Sequence, residues 1–361
     1  MRCILVYLLL AGFAYAGAES TGTDGAPGKV WGAVYVPSEA FNAPQMWKNF
    51  SLAETRRDFG YARELHLNTL RLWASYEYWQ MEPAHFKASF DQLLGAANGA
   101  GLKIFVSLFE QNGAQPTPAN MWSTDPAKAA CICSPSAEVY GAAHPERWEK
   151  PREFLRWFME NYRNDGRLAG IEVVNEPRAN QMLPFAKAMF TTAKSMKGSV
   201  PLTIGSENPK EAEEFIPLGL DIITYHPNFP RDAAMFEKQI EAGLALERKA
   251  GLPVWITEWQ RTRPSGPGWS KARLPEAETL PDYASLAPIV RKYPVGSFFW
   301  SLMVKRAYLA AQRVQGTVNG VFWPDGAVWS LADARAIAND PGLELKERKR
   351  LPEGFLSYLG K

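Results

Sequence analysis

The chain has 361 residues, with 40 Lys+Arg against 38 Asp+Glu and a formal net charge of +2. That balance excludes the basic footprint of a nucleic-acid binder and the charge of an acidic tail. Hydrophobic residues make up 46% and charged residues 22%, which excludes wholesale disorder, and the 13 Trp ask for a large core or an aromatic-lined cleft.

At the N-terminus, Arg2, the apolar run Ile4 to Phe13 and the small-x-small triplet Ala14-Tyr15-Ala16 have the form of an export signal. The run is about ten residues, against the roughly 20 that a membrane span needs. A cleaved segment 1–16 and a mature domain 17–361, secreted or periplasmic and not membrane-bound, are expected. Cys3 falls before the cut. Cys131-Ile132-Cys133 forms either a small disulfide or two thiols. With His144 the pair offers fewer ligands and closer spacing than tetrahedral zinc takes, so no metal is expected.

Past residue 28, short apolar runs alternate with amphipathic stretches. Val30 to Val36 predicts a strand. Ser51-Leu52-Ala53-Glu54 has capping-box form and opens a helix. Asn68 to Trp73 predicts a second strand, and the stripe Phe86, Phe90, Leu93, Leu94, Ala97 a helix that Gly101 stops. Lys103 to Phe109 is a third strand, followed by a long loop from Gln111 to Lys150 and a helix through Phe154, Leu155, Phe158 and Tyr162. Further strands are expected at Leu168 to Val174, Pro201 to Gly205, Leu220 to Tyr225, Pro253 to Glu258 and Val295 to Leu302. Helices are expected at Leu183 to Met196, from Glu211, through Phe236, Ile240 and Leu244, and near Leu286 to Val290. The charged run Leu343 to Arg350 reads as a solvated helix.

Strands alternating with helices imply parallel pairing and right-handed crossovers. Eight such units over roughly 270 residues fit an α/β fold, a single (β/α)8 TIM barrel. An open doubly wound sheet is the alternative, but no Gly-rich turn follows the first strand. In a barrel the chemistry sits at the carboxyl ends of the strands. Polar residues there are Arg71, Glu110, Asn175-Glu176, Tyr225-His226, Glu258 and, closing the eighth run, Trp300. Two strands therefore end on carboxylates, Glu176 and Glu258. Glycoside hydrolysis needs such a pair, one a proton-bearing acid and the other an ionised nucleophile or base.

Asn175-Glu176-Pro177 ending the fourth strand, Glu258 within Thr257-Glu258-Trp259 ending the seventh, the Arg71 strand and Trp300 together resemble the clan A glycoside hydrolases, the cellulase-like family 5 and its relatives. The resemblance implies catalytic roles for Glu176 as acid/base and Glu258 as nucleophile of a retaining double displacement. It implies that Asn175 hydrogen-bonds the sugar 2-hydroxyl, that Arg71 pairs with the nucleophile, and that Trp300 floors the glycone subsite. No cofactor is implied. Many members carry His-x-Tyr after the sixth strand. Here His226 has a counterpart, but Asn228 stands where the Tyr would be, and Tyr225 takes that role only if the register differs. Tyr35, Glu110 and Trp259, with Trp122, are further candidates for sugar contacts, and Trp323 either closes the barrel in a hairpin or reaches the cleft.

The expected function is a secreted, monomeric retaining β-glycosidase acting on a β-linked polysaccharide or oligosaccharide. The alternatives are a non-catalytic carbohydrate-binding barrel and a transglycosylase on the same scaffold. A metal-dependent barrel hydrolase needs clustered His and Asp at strand ends, and only one strand ends in His.

Overall fold

The computed structural model describes residues 29–177, 182–262 and 280–359. The export signal and most of the loop after the seventh strand lie outside the described residues. Eight strands form one sheet: β1 (Trp31–Val34), β2 (Thr69–Trp73), β3 (Lys103–Glu110), β4 (Leu168–Asn175), β5 (Leu202–Thr203), β6 (Ile223–Tyr225), β7 (Val254–Trp259) and β8 (Gly296–Phe299). Their order is β5-β4-β3-β2-β1-β8-β7-β6, every pairing is parallel, and β1 lies beside β8. All eight coincide with the predicted runs. The ladder is interrupted only between the short strands β5 and β6. There the Asp221 N–H donates to the Leu202 carbonyl (2.9 Å), and the Thr203 and Thr224 hydroxyls donate to the carbonyls of Ile222 (2.7 Å) and Ile204 (3.0 Å). The fold is a (β/α)8 barrel.

The lower barrel interior is filled by a size match across neighbouring strands. Phe105, Trp255 and Phe298 pack together with ring centroids 5.5–6.2 Å apart. Each lies directly beside a glycine in the sheet register: Phe105 beside Gly170, Trp255 beside Gly296, Phe298 beside Gly32. A methyl at Gly32 would sit 2.6 Å from the Phe298 ring and 2.5 Å from the Thr69 carbonyl. Three large and three absent side chains thus close the floor, and polar groups are left to the layer above.

Outside the barrel, apolar helix faces cover the strands. Ser51 caps the helix Leu52–Glu64 by accepting the Glu54 N–H. Trp47, Phe86, Phe90, Phe154, Phe158 and Tyr162 meet in edge-on or tilted contacts between helices, which absorbs much of the aromatic excess into the core.

Several stretches depart from expectation. The 111–150 segment contains short helices at Pro118–Met121 and Ala137–Tyr140. It is pinned to the β1 side by Asn42 Nδ2 donating to Ala130 O (2.9 Å) and Gln45 Nε2 to Met121 O (2.8 Å). Leu343 to Arg350 is not a helix. The preceding helix, Leu331–Ala338, ends at Asn339 in the left-handed region, and Pro341-Gly342 follows. The chain then runs extended beside Val328, whose N–H donates to Lys346 O (2.8 Å). After β8 comes an insertion: an antiparallel ribbon of β9 (Lys305–Arg306) and β10 (Val318–Asn319), with a helical turn, Ala310–Arg313, between them. Trp323 packs on Trp329 and Phe355 in a small second cluster, away from the strand ends. Among the described residues no helix is long and apolar enough to cross a membrane.

Gly32→Ala should lower stability by roughly 3 kcal/mol, because neither the backbone carbonyl nor the packed ring can retreat. Urea denaturation of the folded variant checks this; an unchanged midpoint would refute the size match.

Candidate active site

The strand ends converge on a pocket lined by Trp73, Glu110, Asn112, Asn175, Glu176 and Glu258 with Trp300, Tyr308 and neighbouring side chains. At its base lies Arg71, wholly buried on β2. Its Nη1 donates to Glu258 Oε1 (2.7 Å), and its Nη2 donates to Glu172 Oε1 and to Asn175 Oδ1 (2.7 Å). Burial pulls the guanidinium pKa down, and the charges of Glu172 and Glu258 more than reverse this, leaving it above its ordinary value. Arg71 also lies over the Trp73 ring, Cζ 4.5 Å from its centroid.

Glu258 is held at both oxygens. Arg71 serves one and Asn228 Nδ2 the other, at 2.8 Å. The group that contacts Glu258 from the β6 end is therefore Asn228. Glu176 accepts from Asn112 Nδ2 at one oxygen and meets His226 Nδ1 at the other. His226 Nε2 bonds Thr257 Oγ1 (2.9 Å). Burial would lower the His226 pKa, but Glu258 and Glu176 outweigh it and raise it. Glu176 itself has φ +46°, in the left-handed region that few side-chain-bearing residues adopt. Oxygens of Glu176 and Glu258 and a nitrogen of His226 all lie within 4.8 Å of one another. Among the described residues, this is the one group of three metal-ligating side chains so close.

Glu110 also faces the pocket. It accepts both contacts of Asn175 Nδ2 (2.9 and 3.0 Å) and the Asn112 N–H (2.6 Å). Burial, then the nearby Glu176 charge, push its carboxyl well above the usual range. Trp73, Trp300 and Tyr308 form an aromatic wall, with centroids 5.6–6.0 Å apart.

Of the sequence candidates, Arg71, Glu110, Asn175, Glu176, His226, Glu258 and Trp300 are brought together. Five candidates are not, and for Tyr225, Trp259 and Tyr35 the period of a strand is the reason. Tyr225, next to His226, points outward and donates to Gln239 O (2.9 Å) on the covering helix Ala233–Ala250. Trp259, next to Glu258, packs outward among Trp31, Phe236, Tyr283 and Phe299. Tyr35 donates to Asp58 (3.1 Å) under the helix Leu52–Glu64. Trp122 lies beside Lys48 and Tyr78, outside the pocket lining. Sequence reasoning missed Glu172, Trp73, Asn112, Tyr308, Gln260 and Gln312. Glu172, a lone charge in an apolar strand, and Trp73, two residues beyond Arg71 on a predicted strand, carried a signal. Cys131 and Cys133 are both buried free thiols, and Cys131 lines the pocket.

No protein-family model matches the chain, and no curated protein matches it. Solved structures match it in fold. An endo-1,4-β-D-mannanase from Thermotoga petrophila RKU-1 is 15% identical over 76% of this chain and 88% of its own, with TM-score 0.54. The exo-β-1,4-mannosidase Op5Man5 from Opitutaceae bacterium strain TAV5 is 16% identical, covering 86% and 58%, with TM-score 0.60. GH5_18 from Streptomyces cattleya, solved with GlcNAc, is 15% identical, covering 89% and 83%, with TM-score 0.58. At these identities the likeness establishes the barrel.

Behind the aromatic wall a second, small cavity is lined by Glu77, Glu110, Ser134 and Tyr308, among others. Burial pushes the Glu77 carboxyl from 4.5 up to about 7, against the opposing hydrogen bond from Ser134. The folded state thus holds this proton more tightly than the unfolded chain. Its stabilisation is full below pH 4.5 and is lost as pH rises through about 7. Glu77→Gln keeps the size and the acceptor for Ser134. It should exceed wild type by on the order of 2–3 kcal/mol at about pH 8 and differ little at about pH 4. Urea midpoints at the two pH values test the sign; an equal gain at both would refute it.

Proposed function

We propose that the chain is a retaining β-glycosidase of the clan A type, with Glu258 as nucleophile and Glu176 as acid/base, acting on a β-linked glycan. The observation that carries the reading is the facing pair of carboxylates, with an oxygen of each within 4.8 Å across a pocket. Retaining enzymes hold their pair about 5–5.5 Å apart, whereas inverting ones leave about 6.5–9.5 Å for a water.

In the first step a Glu258 oxygen attacks the anomeric carbon, the bond to the glycosidic oxygen breaks, and Glu176 gives that oxygen its proton. In the second, Glu176, now a carboxylate, takes a proton from water. The water oxygen attacks the anomeric carbon and displaces Glu258. Arg71 and Asn228 orient the nucleophile, and His226 and Asn112 orient the acid. A sugar hydroxyl beside the attacked carbon meets Asn175 Nδ2 and Glu110 together, since the two are already paired. Ring faces stack on the Trp73, Trp300 and Tyr308 wall. The reading includes export after removal of residues 1–16 and action as a monomer.

The test is a panel of β-mannans, β-glucans, β-galactans and their aryl glycosides, with product chain lengths and anomeric configuration followed. Glu258→Ala should lose several orders of magnitude in turnover, and azide should restore activity with inverted product. A Glu258→Ala protein as active as wild type would remove the assignment.

A further inference from the structure

We infer that Asn319 and Gln260 are positioning residues for the nucleophile, acting through Asn228 as a one-way chain of amide hydrogen bonds. The inference rests on the nucleophile role proposed for Glu258. Asn228 Nδ2 donates to Glu258 Oε2 (2.8 Å), Gln260 Nε2 donates to Asn228 Oδ1 (3.2 Å), and Asn319 Nδ2 donates to Gln260 Oε1 (3.0 Å). The three come from the β6 end, the β7 end and the ribbon inserted after β8.

The chain's direction is dictated by its last member. An ionised carboxylate only accepts, so the Asn228 amide must turn its NH2 to Glu258 and its oxygen to Gln260. Gln260 must then donate to Asn228 and accept from Asn319. Asn319 Oδ1 is left buried without a hydrogen-bond partner, as expected if its orientation is set by the donor it must supply. Aligned amides polarise one another, so the N–H reaching Glu258 is a stronger donor than an isolated one. The charged and titratable groups facing Glu258 are Arg71 from β2, Glu110 from β3, Glu172 and Glu176 from β4 and His226 after β6. Lys305 is paired with Asn319 in the ribbon. Among these groups none belongs to the amide chain, so cutting the chain changes no charge.

The experiment cuts the chain away from the nucleophile. Gln260→Met keeps the length and removes both polar atoms; Asn319→Ala removes the far end. The Glu258 carboxyl is followed by carbon-13 NMR in protein labelled at Glu side chains, assigned by comparison with Glu258→Gln. Its titration midpoint should rise in Gln260→Met and by less in Asn319→Ala. On an aryl glycoside, kcat should fall about tenfold in Gln260→Met with KM little changed. On the Gln260→Met background, Asn319→Ala should add nothing further, since the chain is already cut. A midpoint that does not move in a folded Gln260→Met protein, or two substitutions whose effects add in full, would overturn the proposal. If Gln260→Met does not fold, the Asn319→Ala midpoint decides by itself. The NMR titration reads the amide chain even if wild type cleaves nothing on the glycan panel, so failure of the glycosidase reading is distinguishable from failure of this one.

Discussion

The site depends on one buried cation. Arg71 has no exposed surface, and a guanidinium in a barrel interior persists only if its charge is answered, here with Nε left unpartnered. Glu172 and Glu258 answer the charge, and Asn175 takes a further N–H. Removing one partner of such a buried pair typically costs about 3–5 kcal/mol, because the remaining charge stays in place. The same group therefore sets the positions of β2, β4 and β7 at their carboxyl ends. The floor of Phe105, Trp255 and Phe298 lies toward the other end and places no charge there. The apolar layer and the charged layer divide the barrel by height, and the pocket opens above the charged one.

The aromatic wall follows from the same cation. Trp73 is two residues beyond Arg71 on β2, so both point inward, and the ring lies under the guanidinium. Trp300 and Tyr308 then meet Trp73 edge-on and stacked. Tyr308 comes from the inserted segment after β8. That ribbon is fastened by Lys305 donating to the carbonyls of Pro37 and Ala40, and by Arg313 donating to Ala129. The pocket is thus walled by residues far apart in sequence.

The barrel was legible because its strands are buried on both faces and read as short apolar runs between amphipathic helices. The carboxylates were legible because a charge at the end of such a run has few places to go except the strand end. Errors came from neighbours of correct residues. Tyr225 adjoins His226 and Trp259 adjoins Glu258, and a period of two sends each to the opposite face. Glu172 was readable on the same logic, since its side chain interrupts an apolar strand and needs a buried partner. Asn112, Tyr308, Gln260 and Gln312 carried no local pattern. Their places are set by tertiary contacts of the 111–150 segment and of the β8 insertion, which periodicity does not report. The charged run at 343–350 shows the reverse error. Its composition suited a solvated helix, but a left-handed Asn339 and Pro341-Gly342 stop the helix before it, and pairing with Val328 keeps it extended.

Under the proposed reading the two carboxylates need opposite behaviour, and their surroundings differ accordingly. Glu258 accepts hydrogen bonds from a fixed cation, Arg71, and a neutral amide, Asn228, and stands 3.9 Å from His226 Nδ1. Glu176 touches His226, whose own proton is held by the two carboxylates and responds to their charge. An acid that must give up a proton and later take one back gains from a partner that can titrate with it, and a nucleophile does not. Glu176 is also the residue whose backbone takes the left-handed conformation, held by its N–H donating to Gly205 O at 3.1 Å. That turn follows directly on β4, at Asn175, and faces Glu176 toward the histidine while Asn175 stays with Arg71. Two adjacent residues thereby serve opposite sides of the pocket, an arrangement that regular strand alternation would not allow if both were to face inward.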